Sequence, residues 1–452
     1  MNANNHASPA REGGWTSNRK RGWYLVLSVM LVSTSLLSQA GATTLHQAFA
    51  QAYASNASIQ AGEAELHAAG YGVDSARSGY NPQLSFEAGV GTAHNDLSSP
   101  LVPIATYPLN TKTAGLVITQ PLYSGGQTEA KVNAARAAAS AQGARLSATE
   151  EQVFLEVVQS YSDVVRDQAV RALEQNNLSV LAHQLHATQA QFGNGEVTHT
   201  DVAQAEARVS ATQAALIQAQ GSLAESRAAY LRVFVTPAQS LGQPGLPAPL
   251  PDSETQAVQL SAENFPVLAA RFARNAAEQQ VQAVSGKQRP QITLTGQLLE
   301  TRDPQVFVSR MDTRSVMLTL SLPLYSGGAL SAEKHAAEQR AEASRDGLVD
   351  TERQARFEAL SAWQAFEAAN ARLAAIKTQV QAEQIAARGV RAEQEVGERT
   401  TLDVLNADQE LLSARVDLIR AQRDQLVAAY ALQAATGRLT ATALGLPGES
   451  GA

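Results

Sequence analysis

The sequence predicts a mainly α-helical protein that also carries transmembrane β-strands, built from two copies of one plan. Three observations predict it. PLYSGG occurs from Pro121 and again from Pro323, and the segments GEVTHTDVAQAEARV from Gly195 and EVGERTTLDVLNADQ from Glu395 recur at the same spacing. Pro121 thus corresponds to Pro323 and Asp201 to Asp403, with nothing inserted or lost between these landmarks. Four stretches of strand length alternate apolar and polar residues, and two long runs carry helical periodicity with hardly a Gly or Pro to stop them. A duplicated half that cannot bury its own apolar face must pack on its twin or on another chain.

Along the chain, Arg19, Lys20 and Arg21 precede the apolar run Trp23 to Leu37, and Ala40-Gly41-Ala42 supplies the small-residue pattern of a signal peptidase site, so residues 1–42 read as a signal peptide. The apolar run is short of the roughly 20 residues that span a bilayer as a helix. A helix is expected from Thr44 to about Ser78, where Asn81-Pro82 stops it. Leu84, Phe86, Ala88 and Val90 then alternate with Ser85, Glu87, Gly89 and Gly91, and Ala114, Leu116 and Ile118 repeat the alternation beyond a Pro/Ser/Asn loop expected over Asp96 to Asn110.

In the second half Val316, Leu318, Leu320 and Leu322 face one way, while Ser315, Met317, Thr319 and Ser321 face the other. Strands are therefore expected over about 83–93, 111–122, 291–301 and 313–324. A single such strand fits a soluble sheet as well; four of them in an exported, otherwise helical chain point to lipid. Four strands cannot close a barrel, and open edges in lipid leave backbone groups unpaired. Three copies would supply twelve strands, an even number in the range of outer-membrane barrels. Tyr123 and Tyr325 suit an interfacial aromatic belt.

The helical runs from about Thr128 to Phe192 and Leu330 to Gln394 would each be roughly 100 Å long, and the return helices, Asp201 to Val235 and Leu402 to Thr436, only about 55 Å. The helices before the strands, Thr44 to Ser78 and Ala262 to Lys287, have the length to cover the remaining, membrane-proximal half. Val202, Ala205, Val209, Thr212, Leu216, Ala219, Leu223 and Tyr230 keep the spacing of coiled-coil packing. The Pro/Gly-rich stretch from Thr236 to Ser253 reads as a linker. The domain plan is a first repeat over 43–235, a linker over 236–258, a second repeat over 259–438 and a short C-terminal tail over 439–452. Few aromatics among abundant Ala, Gln, Glu and Arg imply an elongated molecule rather than a thick core.

The formal charge of −7 and the absence of basic runs after residue 42 disfavour nucleic acid as a partner. There is no cysteine, hence no disulfide, no thiolate metal site and no cysteine for lipid attachment. No catalytic constellation stands out, so the chain does not read as an enzyme and no cofactor is implied. His183 and His186 share a helix face at a spacing that could bind metal, but with no further ligand motif they read as a solvated face, and no metal is expected. The glycines of PLYSGG lack phosphate-loop spacing and read as a strand-to-helix joint.

Two in-register repeats, paired strands ending in PLYSGG, the hairpins GEVTHTDV and VGERTTLDVL and the closing stretch Tyr430 to Gly437 resemble the TolC family of outer-membrane channel-tunnels, over nearly all of the chain after residue 42. The resemblance implies a homotrimeric channel-tunnel: a shared twelve-stranded barrel in the outer membrane continuing into an α-helical barrel across the periplasm. It implies a passive exit duct for small molecules or secreted polypeptide, joined by a periplasmic adaptor (a membrane fusion protein) to an inner-membrane ABC or proton-driven transporter. It further implies a clamp in which Arg399 bonds to Thr200 and Asp201; the Tyr that supplements it falls at Gln394. The acidic rings of the family's constriction fall at Asp403 and Asn406, one kept and one neutral. Asp201 and Asp403 also suit helix N-terminal capping. The tips Gly195, Glu196, Val197, Thr198 and Gly397, Glu398, Arg399, Thr400 are expected to dock the adaptor. The helical hairpins alone would also fit a periplasmic coiled-coil adaptor or scaffold, against which the alternating strands speak.

Overall fold

The computed structural model describes residues 43–99, 102–234, 236–238, 240–305 and 308–446, so the signal peptide expected over 1–42 lies outside the described residues. Two helices, α1 (Leu45–Ser55) and α2 (Ala57–Arg77), lead into β1 (Gln83–Ser99) and β2 (Val102–Tyr123). The long α3 (Gln127–Gly193) and its return α4 (His199–Val233) follow. The second half repeats the plan with α5 (Glu254–Leu260), α6 (Phe265–Gly286), β3 (Gln291–Gln305), β4 (Val308–Ser321), α7 (Ala329–Glu395) and α8 (Thr401–Ala435). Both α3 and α7 have 67 residues, both α4 and α8 have 35, and their ends fall at the offset that separates Pro121 from Pro323.

The single helix expected from Thr44 is two. Asn56 adopts an extended conformation, ends α1, and turns its side chain to accept the Ser58 N–H and start α2. Thr44 begins α1 through a capping box with Gln47, which satisfies two first-turn donors. The boundary expected at residue 258 falls inside α5, which Ser253 caps.

The strands form one antiparallel sheet in the order β1-β2-β3-β4, leaving β1 and β4 as edges. The hairpins are longer than expected, and most of Asp96 to Asn110 is strand rather than loop. Turn-forming composition lost to pairing: the β1 and β2 register runs from Gln83↔Thr119 through Asp96↔Thr106 to Ser99↔Val102. Regular β2 to β3 pairing stops at Lys112↔Arg302, so Pro103 and Pro108 sit where β2 has a free side, and an edge accepts a residue without an N–H. The strand expected over 313–324 instead spans Val308–Ser321, because Pro323 cannot donate and β4 has no outer partner to hold its last residues. Tyr325 therefore lies beyond its strand, 90% exposed, while Tyr123 ends β2.

Paired residues share a face of a sheet, so the register assigns the sides. Leu84, Ile118, Gly296 and Val316 form one row and Phe86, Leu116 and Leu298 the next, and their large apolar side chains are exposed, Val316 at 79%. The opposite face carries Ser85, Thr113, Thr119, Thr293, Thr295, Gln297 and Thr319. No helix among the described residues is long and apolar enough to cross a membrane; the apolar surface lies on the sheet.

At the strand-to-helix joints Gly125, Gly126, Gly327 and Gly328 all have positive φ, where a side chain is strained. Gly125 also lies against the end of α6: a Cβ there would meet the Gly286 carbonyl oxygen at 2.4 Å. From the joints, α2 runs back along the start of α3, with Gln142 donating to Glu65 and Gly62 seated on Leu146. The equivalent α6 packs on both α3 and α7. The far parts of α3 and α7 are covered by α4 and α8.

The main core gathers where these layers meet. Phe49 packs edge-on to Phe154 with ring centroids 5.6 Å apart, Tyr230 stacks on Phe234 at 4.0 Å, and Tyr430 and Leu426 close the cluster. Buried Tyr161 donates from its hydroxyl to the carbonyls of Thr43 and Gly242, at 2.7 and 2.8 Å, which pins the linker and the start of the described chain to α3. The segment expected as a tail joins this core through Leu439, Ala441 and Leu446, and residues 447–452 lie outside the described residues.

Candidate functional site

The expected site residues lie at the turns joining α3 to α4 and α7 to α8, and the two turns are built alike. Gly195 and Gly397 take left-handed φ of 79° and 83°, which ends each long helix. The Gly195 and Glu196 N–H groups donate back to the Phe192 and Gln191 carbonyls, and those of Gly397 and Glu398 to Gln394 and Glu393. Thr198 and Thr400 then cap the return helices. The Asp201 carboxylate accepts from the Thr198 N–H at 2.9 Å and its hydroxyl at 2.7 Å, and Asp403 does the same with Thr400 at 2.9 and 2.8 Å.

These bonds set the charges. The Thr198 hydroxyl, then its N–H, hold the Asp201 carboxyl below its ordinary range. For Asp403 the Thr400 N–H leads, its hydroxyl follows, and the nearby Arg399 charge adds to the lowering. Both aspartates therefore complete capping boxes with the threonines and carry a firm negative charge in the first turn of a helix.

Arg399 does not reach Thr200 or Asp201 within the chain. Its Nε donates to Glu393 at 2.9 Å, and that bond is the first cause of its raised pKa, with Asp403 contributing through charge alone. Gln394 is half-buried and gives its carbonyl to the Gly397 N–H. Asn406, one helical turn from Asp403, accepts from Arg208 Nη2 at 2.6 Å. Arg208 belongs to α4 and Asn406 to α8, so this bond ties the two hairpins together. Among the described residues, the other direct polar link between the two helical pairs is Arg423 to Asp163 at 2.8 Å, far from the tips.

Sequence reasoning missed Glu393 and Arg208. Glu393 was legible as a carboxylate just before the turn that carries Arg399; Arg208 had no local signal, because its partner comes from the other repeat. The tips expose Glu196, Glu398 and, at 72%, Val396, while Val197 is half-buried. His183 and His186 are both exposed, and among the described residues no group of three His, Cys, Asp or Glu is placed to hold a metal.

The comparisons with known proteins agree with this architecture. The family model for outer membrane efflux proteins matches residues 48–232 and 257–438, one match per repeat. The chain is 35% identical to the outer membrane efflux protein BepC of Brucella suis, over 93% of this chain and 91% of that protein. It is 27% identical to the alkaline protease secretion protein AprF of Pseudomonas aeruginosa, over 63% of this chain and 61% of that protein. The crystal structure of the outer membrane protein VceC from Vibrio cholerae shares the fold, with a TM-score of 0.73, 22% identity, and coverage of 87% of this chain and 96% of that one. With both repeats matched and a 35% identical relative aligned along nearly its whole length, the chain belongs to the outer membrane efflux protein family, a family of channels and not of enzymes, and is an exit duct of the outer membrane that extends into the periplasm.

Proposed function

We propose that three copies of the chain assemble into the duct of a tripartite export machine. The observation that carries this reading is the sheet, which exposes a broad apolar face yet ends in two unpaired edges, β1 and β4. Each backbone group left unpaired in lipid costs several kcal/mol, and the cost vanishes when β1 of one copy pairs with β4 of the next. Twelve strands then close a barrel.

A periplasmic adaptor docks on the exposed tips Gly195 to Thr198 and Gly397 to Thr400, and an inner-membrane transporter, ABC or proton-driven, supplies the energy. The cargo is a small molecule or a secreted polypeptide; of the relatives, BepC is named for efflux and AprF for the secretion of an alkaline protease. Two contacts keep the tips closed. Arg208 and Asn406 join the hairpins within a chain, and Arg399, whose guanidinium has donors to spare beyond Glu393, clamps Thr200 and Asp201 of a neighbouring copy. Three Asp403 carboxylates favour cations at the constriction.

Native mass spectrometry of the protein extracted from outer membranes tests the assembly. A trimer that resists detergent and falls apart on heating is expected; a stable membrane-inserted monomer would overturn the reading.

A further inference from the structure

We propose that the outward face of the sheet carries a binding site for the phosphate groups of outer-leaflet lipids, formed by Lys112, Arg302, Arg310 and Arg314. The register places these residues. Val90 pairs with Lys112, Lys112 with Arg302 and Arg302 with Arg310, so three cations stand side by side in one row. Arg314 pairs with Leu298, two rows nearer the helices, on the same side of the sheet. That side is the one exposing Leu84, Phe86, Leu116, Ile118 and Val316, which is the lipid-facing side of an outer-membrane strand.

Height in the membrane follows from the chain. The helices join the strands at Gln83, Tyr123, Gln291 and Ser321, and they extend into the periplasm, so the opposite strand ends face outward. Between Ser321 and Arg310 a strand tilted by about 40° climbs roughly 28 Å, close to the apolar band of about 25 Å. The cationic row therefore lies where the hydrocarbon gives way to the outer headgroups. Arg314 starts lower, and its long stem lets the guanidinium snorkel to the same level.

The charges do not cancel. Glu300 and Asp312, in the intervening row, hold Arg302 at 3.0 Å and Arg310 at 3.0 and 3.4 Å. Within these three rows two carboxylates stand against four cations and leave an excess of positive charge, with Lys112 and Arg314 outside the ion pairs of the described residues. Asp303 lies past the last regular pair, at the bulge between Arg302 and Gln305. Arg302 and Arg310 keep 65% and 57% of their side-chain surface exposed despite their ion pairs. The carboxylates thus orient the guanidiniums without using up their donors, and guanidiniums held in a row match the oxygens of a phosphate. Phosphorylated lipids are the anions that lie at this depth, in continuity with the apolar band beneath.

The test uses the full assembled protein in nanodiscs of zwitterionic phospholipid doped with either bisphosphorylated lipid A or its dephosphorylated form, with retained lipid counted by native mass spectrometry. The native protein should retain the phosphorylated form preferentially, and Lys112→Gln and Arg314→Gln, which break no ion pair, should each weaken retention about fivefold. Equal retention of the two lipids by the native protein would overturn the proposal whether or not the variants fold. So would a correctly assembled Lys112→Gln/Arg314→Gln double variant that retains phosphorylated lipid A like the native protein.

Discussion

Buried Glu151 on α3 is the residue most at odds with its surroundings. It is 7% exposed, its Oε1 has no hydrogen-bond partner among the described residues, and burial raises its pKa to about 8, against a smaller lowering by the Leu439 N–H. A carboxyl whose folded pKa lies above its unfolded value binds its proton more tightly when folded, so its stabilising contribution is complete below 4.5 and is lost as pH rises through 8. Stability should fall on the order of 2 kcal/mol per chain between about pH 5 and pH 7 from this group alone. Glu151→Gln should remove that slope and raise the melting temperature at neutral pH, as thermal unfolding across pH would show; parallel curves for the two proteins would refute the assignment. At the tips, Arg399→Ala should raise single-channel conductance in planar bilayers, and Arg208→Ala should do so too by freeing Asn406 from the other hairpin. Asp403→Ala should chiefly weaken cation selectivity and block by multivalent cations, since it leaves both contacts in place. Unchanged conductance in an assembled Arg399→Ala trimer would reduce the residue to a partner of Glu393.

Among the elements, the paired PLYSGG joints offer a comparison within one chain. Gly125 and Gly327 have nearly the same positive φ, 65° and 63°, but a Cβ on Gly125 strikes the end of α6 while one on Gly327 meets nothing within 4 Å. Gly327→Ala should therefore cost about 1 kcal/mol of backbone strain, and Gly125→Ala clearly more, because α6 must also move. Melting of the two purified variants measures the difference; equal losses would mean that α6 yields freely. The same comparison shows what the sequence disclosed. Identical motifs revealed the repeat and the lengths of α3, α4, α7 and α8, because periodicity and capping are local. The long hairpins stayed hidden, because Pro103, Pro108 and the serines near them read as a loop until the partner strand is known. Arg208 stayed hidden for the same reason: its partner Asn406 lies in the other repeat, and only the fold brings them together. The caps on Asp201 and Asp403 were legible from Thr-x-x-Asp spacing, whereas the choice of Glu393 by Arg399 depended on the left-handed turn at Gly397.

For the whole molecule the decisive quantity is the number of unsatisfied strand edges. One chain has two, three separate chains have six, and in the proposed assembly each join of β1 to β4 satisfies two of them, so that only the closed ring leaves none. The exposed apolar face compounds this, since it is stable only in lipid, and under the proposed function the tips at the other end remain free to meet an adaptor in the periplasm. The tips are suited to that meeting: helices more than sixty residues long hold them, the Gly195, Glu196, Gly397 and Glu398 N–H groups bond back to those helices, and Glu196, Val396 and Glu398 are left exposed. Photo-crosslinkers placed at Glu196 and Glu398 in cells should capture a periplasmic adaptor as a single discrete product, with crosslinkers in the linker between Thr236 and Ser253 giving none. Substituting Val396 with Asp should weaken that capture, because a charge would replace the exposed apolar contact, while leaving the trimer intact on a native gel. Capture from the linker alone would move the docking surface to the middle of the helical body and leave the tips with only the work of closing the duct.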